Sequence, residues 1–281
     1  MKKILFCFLF GCTMAASAGA QTYQELSDRA LAAIEQDSLA QAEDYIRQAL
    51  KLEPANPRNA FLFSNLGVIQ RKQRRYEHAL ESYTFALNFA PHSVPILLNR
   101  AALNLELGRD DAARVDYSLA LDKEKDNQEA LLMRAYIYMK MRDYKSARAD
   151  YEHLLKLDPS SYNGRLGLAT LEQKEGRLPE ALSLLNRMID EQSGQQTERT
   201  QLAVLYVARA GVEQEMQHPE SALLDLEEAM RLDSSQAEAY LTRGQIYLSQ
   251  GKKKQARQDF EKAVSLGVPQ AELRELMRQC R

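Results

Sequence analysis

Residues 99–121 read NRAALNLELGRDDAARVDYSLAL, and this stretch recurs with variations along the chain. The same skeleton returns in residues 133–155, MRAYIYMKMRDYKSARADYEHLL, and in residues 242–264, TRGQIYLSQGKKKQARQDFEKAV. In each copy an Arg precedes Ala or Gly, and sixteen residues after that Arg comes an Asp followed by an aromatic residue. Recurrence at an interval of about 20 to 50 residues indicates a stacked-repeat architecture.

The interval between copies is 34 residues, as the spacing of Tyr83, Tyr117 and Tyr151 shows. Each copy contains two amphipathic segments of about a dozen residues that flank a short polar turn, which is typical of a helix hairpin. A single hairpin of this size buries little apolar surface by itself, so each copy is expected to depend on its neighbours.

These residues resemble the tetratricopeptide repeat. The second copy matches the pattern of that family most fully, at Phe63, Leu66, Gly67, Tyr76, Ala79, Tyr83, Ala86 and Pro91. Seven copies are placed at about residues 23–56, 60–93, 94–127, 128–161, 162–195, 203–236 and 237–268. The resemblance implies an all-α, right-handed superhelical solenoid of antiparallel helix hairpins.

Two insertions interrupt the 34-residue spacing of the predicted repeats. Pro57, Arg58 and Asn59 add three residues after the first repeat, and a polar run adds about seven between the fifth and the sixth. The predicted organisation is repeats 1–5 in residues 21–195, a polar linker or helix extension in residues 196–202, repeats 6–7 in residues 203–268, and a capping helix in residues 269–281. The second interruption is interpreted as a hinge or as a longer turn within one rigid solenoid.

The first twenty residues differ from the rest. Lys2 and Lys3 precede a short apolar run, and Ala18-Gly19-Ala20 fits a signal-peptidase site before Gln21. Residues 1–20 are therefore predicted to be a secretory signal peptide, which implies an exported protein in the periplasm or associated with the cell envelope. As an alternative, the residues before Cys12 resemble a lipobox, in which case Cys12 would carry a lipid.

Composition excludes several classes of protein. The formal charge is −2, and it is −4 without Lys2 and Lys3, so no attraction to nucleic acid is expected. Because Cys280 alone remains after removal of the leader, no internal disulfide is predicted. No apolar run beyond the leader approaches the roughly 20 residues of a membrane-spanning helix.

Arg and Asp occur together at two fixed positions of several repeats. With positions counted from the first residue of each repeat, Arg occupies position 7 and Asp position 23 in four copies: Arg100 with Asp116, Arg134 with Asp150, Arg209 with Asp225, and Arg243 with Asp259. Where position 7 is Leu, position 23 is not Asp, and the first repeat, with Arg29 and Tyr45, is the exception. A pair that recurs on the facing helices of a hairpin is interpreted as a structural ion pair that sets helix register, in preference to an acid–base or ligand-binding group.

Motifs that would indicate catalysis are missing from the sequence. The four histidines are scattered, and neither a phosphate-binding glycine loop nor a nucleophile elbow occurs. The protein is therefore predicted to be neither an enzyme nor the carrier of a metal or cofactor. The basic turns at residues 71–75 and 252–254 are interpreted as solvated hairpin tips or, alternatively, as sites for phosphate or an acidic partner.

In the resembling family, positions 2, 5, 6, 9, 12 and 13 of each first helix line a concave face that binds peptide or protein segments. Carried onto this sequence, the predicted partner-binding residues are Asn65, Arg71, Lys72, Asn99, Leu132, Tyr136, Met139, Lys140 and Lys174. A partner segment that complements this surface is expected to have apolar anchors and some acidic residues. Met133 and Met139 either face that partner or pack between repeats.

The resemblance therefore predicts a non-catalytic protein-interaction scaffold in a bacterial cell envelope. Two alternatives remain open at this point: a structural or accessory subunit of an outer-envelope complex, with or without a lipid anchor, and a regulatory subunit of a separate enzyme.

Overall fold

The computed structural model describes residues 21–193 and 199–280, and regular structure within these ranges is entirely helical. Fifteen helices occur in the described ranges: α1 (Tyr23–Glu35), α2 (Leu39–Leu52), α3 (Asn59–Lys72), α4 (Tyr76–Phe89), α5 (Val94–Glu106), α6 (Asp110–Lys123), α7 (Gln128–Lys140), α8 (Tyr144–Leu157), α9 (Tyr162–Lys174), α10 (Leu178–Ser193), α11 (Arg199–Glu215), α12 (Pro219–Leu232), α13 (Ala237–Ser249), α14 (Lys253–Ser265) and α15 (Gln270–Gln279). Taken in pairs, the first fourteen helices correspond to seven repeats, and α15 follows the last. The predicted all-α class and repeat architecture are confirmed.

The chain divides into two compact units, one ending at Leu103 and the other beginning at Asn104. The first unit contains α1 to α4 and most of α5, and the second contains the end of α5 and α6 to α15. Repeats 1 and 2 therefore lie wholly in the first unit, and repeats 4 to 7 lie wholly in the second.

Every hairpin tip uses the same backbone turn. The fifteenth residue of each repeat has a positive φ, and these residues are Asp37, Arg74, Gly108, Arg142, Gly176, Gln217 and Gly251. The amide of the next residue bonds to the carbonyl five residues earlier, as Asp143 does to Tyr138 at 2.9 Å. This pattern is a Schellman cap, which ends the first helix and turns the chain into the second.

Small residues allow the two helices of a hairpin to approach closely. In the second repeat Ala79 and Tyr83 are fully buried, and Gly67 lies directly against the Tyr83 ring. A Cβ atom added to Gly67 would meet a ring carbon of Tyr83 at 2.6 Å, which is shorter than side chains tolerate. Glycine at this position therefore sets the helix spacing of the second repeat.

The three residues inserted after the first repeat are held by a buried amide. Asn59 is fully buried and accepts a hydrogen bond from the Tyr23 hydroxyl at 3.0 Å. Its amide nitrogen donates to the carbonyls of Glu53 at 2.8 Å and Pro54 at 3.0 Å. Asn59 thus satisfies the polar groups of the inserted turn and ties α3 to the first hairpin.

The longer insertion between repeats 5 and 6 is only partly described. Residues 196–198 of the predicted linker lie outside the described residues, whereas residues 199–202 form the first turn of α11. The Tyr162 hydroxyl, at the start of α9, donates to the carbonyl of Gln201 at 2.8 Å. At both insertions, the tyrosine that begins the preceding hairpin, Tyr23 or Tyr162, thus donates a hydrogen bond to the first turn of the helix that follows the insertion, α3 or α11.

Candidate functional site

The first-helix face of the second unit is defined by positions 2, 5, 6, 9, 12 and 13 of α7, α9, α11 and α13. Tyr136, at position 9 of the fourth repeat, is 48% exposed. Its predicted neighbours Leu132 and Met139 are only partly buried, and both pack on the core formed by Ala135, Ala147, Tyr151 and Leu171. Tyr136 is therefore the most accessible apolar group of the predicted site in this unit.

The predicted basic edge of this face is partly neutralised from within the chain. The Lys140 ammonium lies 2.7 Å from the Asp110 carboxylate and 5.9 Å from the centre of the Tyr136 ring. In the first unit, Lys72 lies 3.2 Å from Asp37. These exposed pairs reduce the positive charge that the sequence pattern indicated, although Lys174 is exposed.

In the first unit the accessible side of α3 is a stripe spaced by four, three and four residues: Phe61, Asn65, Val68 and Lys72. Asn65 and Asn99 are both partly buried. Phe61, at position 2 of its repeat, is 70% exposed, and it was not among the predicted site residues. The family spacing indicated this residue, because position 2 belongs to the same face.

The structure brings three of the four predicted Arg–Asp pairs into direct contact. In each, the guanidinium group donates from Nε and Nη2 to the two carboxylate oxygens of the Asp sixteen residues later. These N–O distances are 2.8 and 2.7 Å for Arg134–Asp150, 2.8 and 2.6 Å for Arg209–Asp225, and 2.8 and 2.8 Å for Arg243–Asp259. The hydrogen bonds to Asp raise the pKa of each Arg, against the opposing effect of burial.

The third guanidinium nitrogen of these Arg side chains, Nη1, donates a hydrogen bond to the preceding repeat. The sequence analysis did not predict this contact. Arg134 Nη1 donates to Ser118 Oγ at 3.2 Å, and Arg209 Nη1 donates to Asn186 Oδ1 at 2.8 Å. Arg100 Nη1 donates in the same way to Thr84 Oγ1 at 3.2 Å within the first unit. The acceptor occupies position 25 of the preceding repeat in all three cases. Arg100 and Asp116 belong to different units, and their pairing stays a prediction.

The repeats without an Arg–Asp pair fill positions 7 and 23 in other ways. In the first repeat the Arg29 guanidinium lies 6.0 Å above the Tyr45 ring, which explains the exception in the sequence pattern. In the second repeat the buried Ser82 hydroxyl donates to Gln70 at 2.7 Å. In the first repeat positions 7 and 23 are therefore again in contact, whereas in the second repeat Ser82, at position 23, bonds to position 11.

A further charge network lies between the fourth and fifth repeats. Arg148 on α8 donates to Glu172 and to Glu175, both on the neighbouring hairpin, at 2.7 Å each. Arg177 contacts the same two carboxylates, and Glu172 is buried. The sequence analysis did not predict this network, although Arg also occurs at the positions of Arg148 and Arg177 in other repeats.

Within the described ranges, no group of three or more His, Cys, Asp or Glu side chains is arranged to hold a metal ion. None of the helices in these ranges combines the length and apolar character that a membrane span requires. The arrangement offers exposed aromatic and polar side chains on helices held in register, which suits recognition of another molecule.

Comparison with known proteins identifies the repeat. The sequence profile of the tetratricopeptide repeat matches residues 27–93 and 132–196, and a second profile of this family matches residues 237–266. No curated protein matches the chain in a sequence search.

Solved structures agree with this result. A tetratricopeptide repeat protein from Parabacteroides merdae is 34% identical, with 93% of this chain and 99% of that chain covered and a TM-score of 0.80. YrrB, described as a protein of this family with an unusual peptide-binding site, is 18% identical over 69% of this chain and 95% of its own, with a TM-score of 0.54. The Cut9–Hcn1 structure is 11% identical over 91% of this chain and 55% of that chain, with a TM-score of 0.65. The last two show the fold alone. From the profile matches and the Parabacteroides merdae structure, we conclude that the chain belongs to the tetratricopeptide-repeat family.

Proposed function

We propose that the protein is a non-catalytic scaffold that holds a segment of another protein on its first-helix face. The observation that carries this proposal is Tyr136, which is 48% exposed on α7 although Leu132 and Met139 beside it pack into the core. An aromatic side chain that a rigid helix presents to solvent buries a large area on binding and loses little conformational freedom.

The comparisons support a binding role in general terms. Tetratricopeptide repeat proteins mediate protein–protein interactions and typically lack catalytic activity of their own. The solved YrrB structure is described as having a peptide-binding site. A short segment of a partner protein is therefore the ligand class that we propose for this chain.

We also propose that the protein is exported to the cell envelope and starts at Gln21 after cleavage. This proposal rests on residues 1–20, which lie outside the described residues. The intact mass of the protein purified from its native cells tests it. A mass that fits a chain starting at Gln21 supports export without a lipid, and a mass that fits a lipidated Cys12 at the N-terminus contradicts it.

Site-specific photo-crosslinking tests the binding face. A benzophenone amino acid placed at position 136 in the native cell should give a discrete crosslinked adduct, which mass spectrometry then identifies. The same group at position 224 is the matched control, because Leu224 is 68% exposed on α12, a second helix. Adducts at position 224 with none at position 136 would place the partner on the second helices and contradict the proposal.

A further inference from the structure

The first unit has a second exposed apolar surface, which is flanked on α1 by carboxylates and not by the basic residues that the sequence indicated. The accessible side of α1 is the stripe Gln24, Asp28, Leu31 and Glu35, spaced by four, three and four residues. Leu31 is 49% exposed in the middle of this stripe, with an exposed carboxylate on either side. This stripe occupies positions 2, 6, 9 and 13 of the first repeat, the same positions that the stripe on α3 occupies in the second.

The stripes on α1 and α3 lie next to each other. Arg58, at the start of α3, donates to the Gln24 side chain at 2.9 Å, so the beginnings of the two helices are adjacent. Lys72 at the end of α3 lies 3.2 Å from Asp37, just beyond the end of α1. Contacts at both ends align the helices in parallel, which places Leu31 and Phe61 on one continuous surface.

The carboxylates of Asp28 and Glu35 have no cation partner among the described residues. Asp28 accepts a hydrogen bond from the neutral Gln24 side chain at 2.9 Å. Of the basic groups nearby, Arg29 stacks on Tyr45, Lys72 pairs with Asp37, and Arg58 donates to the neutral Gln24 side chain at the start of α3. Around Leu31, on the α1 side of the surface, the two carboxylates therefore carry uncompensated negative charge.

We propose that this surface binds a short partner segment in which basic residues flank apolar anchors. The proposal rests on the proposed function and names the chemistry of one of its ligands. Asp28 and Glu35 are seven helical residues, or about 10 Å, apart along α1. A chain in the polyproline II conformation has three residues per turn and rises about 3.1 Å per residue, so two cations three positions apart lie on the same side, about 9 Å apart, and match the two carboxylates.

A second copy of the chain fits this surface less well. Leu31 and Phe61 together expose about 200 Å² of apolar surface, whereas each side of a stable protein interface buries about 800 Å². An area of this size suits the one or two anchor side chains of a peptide.

The test uses fluorescence anisotropy with labelled synthetic peptides and the purified protein. The probe peptide carries two lysines three positions apart with leucine and phenylalanine between them, and a matched peptide carries glutamates in place of the lysines. The lysine peptide should bind at least tenfold more tightly at low salt. Phe61→Ala and Leu31→Ala should each raise its Kd about five- to tenfold at both low and high salt, because they remove apolar contacts.

The double variant Asp28→Asn/Glu35→Gln should weaken binding of the lysine peptide at low salt and have little effect at high salt, where the attraction is screened. Phe85→Ala/Glu81→Gln on α4 is the matched control, since it removes an exposed aromatic ring and a carboxylate from a second helix, and it should leave the Kd unchanged. Equal or tighter binding of the glutamate peptide, or an unchanged Kd in Phe61→Ala, would overturn the inference. Either result would leave the proposed function standing if the crosslink at position 136 still forms.

Discussion

Arg134 and Asp150 join the two helices of the fourth repeat through two parallel hydrogen bonds of 2.8 and 2.7 Å. Asp150 is buried, and the remaining Arg134 nitrogen donates to Ser118 in the preceding repeat. One side chain therefore fixes the hairpin and also holds it against its neighbour. The same arrangement recurs at Arg209. These contacts set the register of the helices in each repeat, and that register determines where the side chains of the first-helix face lie.

A double-mutant cycle should show that this pair is coupled. Arg134→Ala and Asp150→Ala should each lower the free energy of unfolding by about 1 to 4 kcal/mol, because each leaves a buried partner unpaired. The double variant should cost clearly less than the sum, as measured by urea denaturation. The exposed pair Arg257–Glu261 on α14 is the control and should show little coupling. Strict additivity at Arg134 and Asp150 would mean that they do not interact.

The hairpin tips predict a stabilising substitution. Arg142 has a φ of 59° and an exposed side chain, a backbone conformation that costs a residue with a Cβ atom about 1 kcal/mol or more. Arg142→Gly should therefore raise the free energy of unfolding by up to about 1 kcal/mol. The reverse change at the equivalent position of the fifth repeat, Gly176→Ala, should lower it by a similar amount. Destabilisation by Arg142→Gly in thermal and urea unfolding would contradict this reading of the turn.

Tyr83 predicts a dependence of stability on alkaline pH. Burial raises the pKa of its hydroxyl to about 12, although the charge of Arg71 acts in the opposite direction. Because the folded-state pKa lies above the unfolded value of about 10, the stabilisation is complete below pH 10 and is lost as the pH rises towards 12, at about 1.4 kcal/mol per pH unit. Tyr83→Phe should remove this part of the slope, which urea denaturation at pH 9 and pH 11 would measure.

The same variant should be tolerated at neutral pH. The Tyr83 hydroxyl has no hydrogen-bond partner among the described residues, and Phe260 occupies the equivalent position of the seventh repeat. Tyr83→Phe should therefore leave the free energy of unfolding at pH 7 unchanged or slightly higher. A loss of more than about 1 kcal/mol there would indicate a hydrogen bond that this account lacks.

Asn59 should be critical for the first insertion. Asn59→Ala leaves the Tyr23 hydroxyl and the carbonyls of Glu53 and Pro54 without the buried amide that they share, and it should cost about 2 to 3 kcal/mol. Asn56→Ala in the same turn is the control, because the Asn56 side chain bonds only to exposed groups, the Glu53 carboxylate and the Arg58 amide, and should contribute far less. If the two variants unfold at the same urea concentration, Asn59 does not hold the turn.

The fold was predictable because the 34-residue period recurs along nearly the whole chain, and each copy carries a small residue where helices approach, such as Gly67. The contact of Arg134 with Asp150 could also be predicted from recurrence, because Arg and Asp occur together at the same two positions of several repeats. The reach of Arg134 to Ser118 was not predicted, because acceptors at position 25 vary among Thr, Ser and Asn. Position 25 is recognisable only when the geometry is known.

The accessible side of the first helices was predictable from the sequence, but the charge on that side was not. Family spacing placed Tyr136 on an accessible side of α7, and the same rule extends to Phe61. The pairing of Lys140 with Asp110 joins residues thirty positions apart on different hairpins, and no local pattern marks it. The charge that a partner meets depends on such contacts between repeats, and for that reason counting basic residues along one helix overstated it.

Docking of a partner segment on the first-helix face can be measured by calorimetric titration with the binding segment of the crosslinked partner. Tyr136→Ala should weaken binding by about 1 to 3 kcal/mol at any salt concentration, and Leu224→Ala should bind as the parent does. Circular dichroism should confirm that both variants fold. Parental affinity in a folded Tyr136→Ala variant, together with weakened binding in Leu224→Ala, would show that the contacts lie on the second helices and would contradict the account.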